Sequence, residues 1–366
     1  MEGKLESRTE GQDYLSHYDQ KEVKAMLKNG GREFLTQLGT KNVSIEQLLT
    51  QAEMMEKSWR DDLIVGNTRV PISLTEDLKA GYITRDGRQV SVDLTDNALS
   101  QMCGRAGIPV KYMRDLFENG DRDLAVENWI RMSNKLVSSE TVLRSRVYED
   151  TARAVLTDDY HPFDNTRILE GVWQAARGAG YEANQAFLSP DKLHIRFVDF
   201  NNPLKVRNGL YPGFTVSSSN VGTGAFAIQY FLFRFACRNG IVHGSLKGIL
   251  FRQTHQKSFD AEASGIFVRA FVKMEELNAM FEHQIGKAAR NRLGKEELER
   301  VFKDAQKELH LGERGLREVR TLVEKTYSPS TWGVVNALTE AAQSSRYGLD
   351  RRMEIESYAG KILQAV

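Results

Sequence analysis

Between Asp199 and Asp260 the chain runs for 60 residues, 200–259, without one carboxylate. The same span carries Lys205, Arg207, Arg234, Arg238, Lys247, Arg252 and Lys257, a charge of +7 before histidines are counted. Interleaved with them are Tyr211, Phe214, Phe226, Tyr230, Phe231, Phe233, Phe235 and Phe251. Strands buried in a sheet are poor in acids and rich in aromatics, so the span predicts a sheet core. The same residues suit a groove for single strands, where cations neutralise phosphates and flat rings stack on unpaired bases. Both readings stand at this level.

The basic character is local. Over all 366 residues, 50 Lys and Arg face 49 Asp and Glu, a formal charge of +1, so global charge gives no argument for nucleic acid. With 41% hydrophobic and 27% charged residues, the composition is that of a soluble globular protein with a real core. No apolar run approaches the roughly 20 residues needed to cross a bilayer, and the polar start has no signal-peptide core. A cytoplasmic location, with no membrane partner, is expected. Cys103 and Cys237 cannot build a disulfide framework, and no Cys/His spacing makes a zinc site. Neither a metal nor a cofactor is expected.

Periodicity divides the chain into a charged, disordered leader over 1–20, a helical and β-hairpin part over 21–150, a central sheet part over 151–259 and a helical part over 260–366. Helical spacing marks 21–28, 32–38 and 44–60. Val70, Ile72 and Leu74 alternate as a strand, and 82–92 folds as a hairpin around Asp86-Gly87. Helices over 96–102 and 110–117, broken by Gly107 and Pro109, form either an ordinary corner or a helix-turn-helix. An amphipathic helix over 166–178 precedes strands at 182–188, 192–200, 214–218 and 225–235, with short strands between 241 and 251. In the second of these, Leu193, Ile195 and Phe197 point one way while His194 and Arg196 point the other, giving a polar, basic face. The fold class is α+β: a central, mainly antiparallel sheet with packed helices, a helical N-terminal arm and a helical C-terminal region.

Catalytic signatures are sparse. The chain has no phosphate loop GxxxxGK[ST], no GxSxG elbow, no HExxH pair and no GxGxxG. Asp158, Asp159 and Asp164 with His161, in TDDYHPFDN, either hold a divalent cation for nuclease chemistry or make a turn that caps the next helix. Ser217 to Gly224, SSSNVGTG, either offers backbone N–H groups to a phosphate or joins two strands.

Five blocks in order, LTDNALSQMCGRAGIPVKYMRDL from Leu94, RAVLTDDYHPFDN from Arg153, SNVGTG from Ser219, FRFACRNG from Phe233 and WGVVNALTEAAQ from Trp332, resemble the phage and plasmid family called domain of unknown function 932. The family's acidic residue in its Asn-Ser-Glu-Val-Gly block is missing from Ser219-Asn220-Val221-Gly222, which argues against a metal role there. The resemblance implies a gene of bacteriophages and mobile elements, and with it a cytoplasmic location in the host cell. It supplies no biochemistry, though such proteins without a nucleotide motif often serve replication or recombination.

The reading favoured by the sequence is an ATP-independent, homo-oligomeric protein that binds single-stranded DNA and anneals strands. Lys205, Arg207, Arg234, Arg238, Lys247, Arg252, His255 and Lys257 are its expected backbone contacts, and Tyr230 and Phe231 its stacking platforms. A structural or host-interaction protein, and a nuclease built on Asp158, Asp159 and Asp164, are the alternatives. Enzymatic activity is left open, with the balance against it.

Overall fold

The computed structural model describes residues 44–65, 72–133, 142–206, 209–234, 239–242, 248–256, 263–344 and 346–366. The leader, the predicted helices at 21–28 and 32–38, and Val70 lie outside them. The α+β class holds, but the described strands form two sheets over two principal cores rather than one central sheet.

Helix α1 (Ile45–Lys57) starts at Ser44, whose Oγ accepts the Gln47 N–H at 3.2 Å. It stops before Arg60 because Trp59 already belongs to strand β1 (Trp59–Val65), whose alternation buries Asp62 and Ile64. Strands β2 (Ile72–Leu74), β3 (Lys79–Ile83) and β4 (Gln89–Leu94) follow, the last two joined by the predicted Asp86-Gly87 turn. Three helices, α2 (Asp96–Ala106), α3 (Val110–Asn119) and α4 (Arg122–Ser133), lead to the hairpin of β5 (Val142–Tyr148) and β6 (Thr151–Thr157).

The strand order is β1-β5-β6-β4-β3-β2, antiparallel except for β4 beside β6. At its end β1 returns to the β3–β4 hairpin: Ile64 bridges Thr84, and the Arg85 N–H donates to the Leu63 carbonyl at 2.7 Å. Giving β1 and β2 together the first position yields the order 1-2-3-5-4-1, with third and fifth strands parallel and helices between the third and fourth. That is the topology of an OB-type five-stranded barrel. Ile64, Ile72, Tyr82, Val92, Leu143 and Val147 belong to its core together with Met102, Met113 and Trp129 from α2, α3 and α4. The Trp129 indole N–H donates to the Ile72 carbonyl at 2.7 Å. The α2–α3 pair is a corner on this barrel: Met113 and Leu116 of α3 are buried, and Arg114 pairs with Asp96 at 3.3 Å.

The second sheet follows α5 (Asn165–Gly178), whose first turn is held by Glu56 of α1 accepting the Thr166 N–H at 2.9 Å. Strands β7 (Glu182–Leu188), β8 (Lys192–Val198), β9 (Leu210–Ser219) and β10 (Phe226–Arg234) make an antiparallel meander. The far edge of β10 is shared: β11 (Asn239–Val242) pairs with residues 231–234 and β12 (Ile249–Gln253) with residues 226–229. Leu193, Ile195, Phe197, Phe214, Val216 and Tyr230 share a core with α5 and the long helix α6 (Ala263–Arg290). Charged helices α7 (Lys295–Glu308) and α8 (Glu313–Lys325) form a hairpin, and α9 (Thr331–Ala341), capped by Ser330, is buried through most of its length. Helix α10 (Leu349–Gln364) follows and packs on α9. The boundary expected at 150/151 falls in the β5–β6 turn, so the first unit extends through Thr157. No helix among the described residues is long and apolar enough to cross a membrane.

Candidate nucleic-acid interface

Six of the ten predicted contact residues are described: Lys205, Tyr230, Phe231, Arg234, Arg252 and His255. Arg207, Arg238, Lys247 and Lys257 lie outside the described residues. The six do not meet. Lys205 is exposed in the β8–β9 connection, and its backbone N–H donates to Glu282 of α6 at 2.5 Å. Arg234 ends β10 opposite Leu210, whereas Arg252 of β12 sits opposite Ala227 near the other end of β10. Seven residues of strand separate those positions, roughly 24 Å.

The stacking platforms need correction. Tyr230 is fully buried, its hydroxyl donating to Asn278 Oδ1 at 2.7 Å and its ring stacked on Phe281 at 4.8 Å. Burial raises its phenol pKa well above the ordinary value. Phe231 is equally buried, with the Arg196 guanidinium 4.7 Å over its ring. Neither ring has a face for a base. Arg234 is also buried, its guanidinium 5.3 Å from the Tyr327 ring. His255 is packed between Phe163 at 4.1 Å and Tyr160 at 4.9 Å, and burial lowers its pKa. Core packing claimed these four because β10 is a central strand and the chain after β12 turns back under the 157–165 loop.

That loop and residues 219–224 join the two units. The Asn220 carbonyl accepts from Arg146 at 2.7 Å, the Ser219 carbonyl from the Tyr160 hydroxyl at 2.7 Å, and the Val221 carbonyl from Gln101 at 2.8 Å and Asn97 at 3.2 Å. Arg146 also pairs with Asp61 at 2.9 Å and lies 4.6 Å over the Trp59 ring. The N–H groups of Val221 and Thr223 are consumed internally by Ser219 Oγ. Three carbonyls face partners and the Asn220 N–H donates to the Asp191 carbonyl at 2.9 Å, so this segment is a strand connection and a junction, not a phosphate cradle. In TDDYHPFDN, Asp158 pairs with Arg144 at 3.0 Å and Asp164 with Arg167 at 3.6 Å. Among the described residues no three His, Cys, Asp or Glu side chains gather as metal ligands.

What the fold does assemble is the second face of the second sheet. Cross-strand pairs share a side, so Lys192, His194 and Arg196 of β8 line up with Ser219, Ser217 and Thr215 of β9, and Arg252 of β12 joins the His194 row through Ala227. None of β8, β9, β10 and β12 contains an acidic residue. His194 Nε2 accepts from Arg196 Nε at 3.3 Å, and burial, then the neighbouring guanidinium, pushes its pKa down to about 3. Lys192 escaped the sequence reading, and Arg196 was placed on this face without being counted as a contact, because Asp199 closes the acid-free window before β8. The alternation Leu-His-Ile-Arg-Phe was the available signal.

Residues 153–358 match the family described as Domain of unknown function (DUF932). The chain belongs to the DUF932 family. The matched region starts within β6 and spans the whole second sheet and α5 to α9, so the barrel's earlier strands lie outside it. No curated protein and no solved structure matches this DUF932 chain.

Proposed function

We propose that this DUF932 protein binds single-stranded DNA without ATP and anneals strands in recombination or replication, as an oligomer. One observation carries the reading: four neighbouring strands without a carboxylate align Lys192, His194, Arg196 and Arg252 on one shared face, with Arg252 exposed at its edge and His194 and Arg196 buried within it. The barrel adds support of a weaker kind, since OB-type barrels commonly hold oligonucleotides while fold alone does not decide function. Annealing needs a surface that neutralises the backbone and leaves base edges free, with no bond made or broken in the DNA.

Arg252 is exposed on β12, an edge strand with Lys273 of α6 donating to its Ile249 carbonyl at 2.8 Å. Fluorescence anisotropy with single- and double-stranded oligonucleotides tests the proposal. Single strands should bind without added metal, with affinity falling steeply as salt rises. Arg252→Gln with Lys257→Gln should weaken binding about tenfold or more and reduce the salt slope by roughly 0.7 for each phosphate that is no longer neutralised. Unchanged affinity and slope in that variant would remove the β12 edge from the interface.

A further inference from the structure

Two cations of the shared face, Lys192 and Arg196, are already occupied, and by carboxylates from a single element. Helix α10 brings Asp350 to Lys192 at 2.8 Å and Glu356 to Arg196 at 2.5 Å. Gln343 holds the other side of Glu356, donating to Oε1 at 3.0 Å. Beneath this contact the face is unfinished: His194 Nδ1 and Thr215 Oγ1 are buried without a hydrogen-bond partner among the described residues. Native interiors rarely leave such groups unpaired.

A carboxylate is a planar anion with two acceptor oxygens, and an arginine fork receives a phosphate in the same way. A buried ion pair adds little net stability, because desolvating both charges offsets their attraction. Exchange of one anion for another on Arg196 therefore costs less than the shortness of the contact suggests. Among the described residues the apolar hold on α10 runs from Ile355 through Tyr358, Ala359, Ile362 and Leu363, while Asp350 in the first turn is exposed and lies outside that core.

We propose that α10 is a displaceable clasp: Asp350 and Glu356 stand where backbone phosphates of a single strand bind, and nucleic acid takes Lys192 and Arg196 by replacing them. The unpaired His194 and Thr215 groups become additional hydrogen-bonding positions for the incoming backbone. The inference rests on the single-strand reading above.

The test uses the full chain and a labelled oligothymidylate. Neutralising the clasp with Asp350→Asn and Glu356→Gln should tighten binding by about tenfold, the factor expected if the open state is about one-tenth populated in the wild type. Adding Lys192→Gln and Arg196→Gln should cancel the gain. Asp350 is largely exposed, so Asp350→Asn alone keeps the test valid if the buried substitution impairs folding, and it should still give a gain of a few-fold. Oligothymidylate added to the wild type should speed hydrogen exchange at α10 amides. Binding by the wild type with no gain in either variant and unchanged α10 exchange overturns the clasp and leaves the single-strand reading intact. No binding by wild type or released variants overturns both.

Discussion

Gly222 lies at φ 75°, where a side chain is strained, and a Cβ there would sit 2.7 Å from a methyl of Leu156. Gly222→Ala should therefore cost roughly 1–3 kcal/mol, read as a lower urea midpoint. A variant as stable as the wild type would contradict the close packing of the loop against the barrel. His194 makes a different prediction. Its folded pKa is about 3 against an ordinary 6.5, so below pH 6.5 the unfolded chain takes up a proton that the native protein refuses. The contribution is complete above that pH and is lost as pH falls toward 3. Denaturant midpoints measured at pH 7 and pH 4 should drop further for the wild type than for His194→Gln. Equal drops would show that His194 is protonated in the fold. At this scale the sequence was informative about residue type and silent about environment: it marked His255 as a backbone contact for DNA, whereas the Tyr160 and Phe163 rings enclose it and burial lowers its pKa.

Elements were legible where a period repeats or a turn signal is strong. The Asp86-Gly87 hairpin, α5 and the meander β7 to β10 fall where alternation, 3.6-residue spacing and turn residues place them. The helix expected over 44–60 overruns the first two residues of β1, Trp59 and Arg60, because no glycine or proline marks the change. The β5–β6 hairpin was missed for a related reason: Arg144, Arg146 and Arg153 interrupt its apolar pattern. Those arginines serve the packing. Arg144 and Arg146 share Asp61, and Arg153 makes two hydrogen bonds to Asp191, so each charged strand position has its partner across the junction or on a neighbouring strand. Cross-strand charge pairing of this kind depends on residues far away in sequence.

Among the described residues the molecule has two principal cores, joined by a small apolar cluster of Ala154, Leu156, Tyr160 and Val221 and by several polar groups. Arg146 is central, because it contacts Asp61 of β1, the Asn220 carbonyl and the Trp59 ring at once. Removing it strips the Asn220 carbonyl of this donor and leaves Asp61 to Arg144, a loss of roughly 3 kcal/mol at the junction. Calorimetry of Arg146→Ala should resolve two unfolding transitions, for the barrel and for the second sheet with its helices, where the wild type unfolds in one. A single, merely lowered transition would mean that the units are coupled mainly by other contacts.

By itself the sequence determined the α+β class, most element positions, the DUF932 resemblance and the acid-free span that must form strands. These follow from local properties: spacing, turn chemistry and the exclusion of carboxylates from a buried sheet. Only the tertiary structure decided that the early strands close into an OB-type barrel, that Tyr230 and Phe231 are core, and that Asp350 and Glu356 cover Lys192 and Arg196. The reason is that burial and charge pairing are set by which distant segments meet, and a carboxylate more than 150 residues away leaves no mark on the local pattern it neutralises.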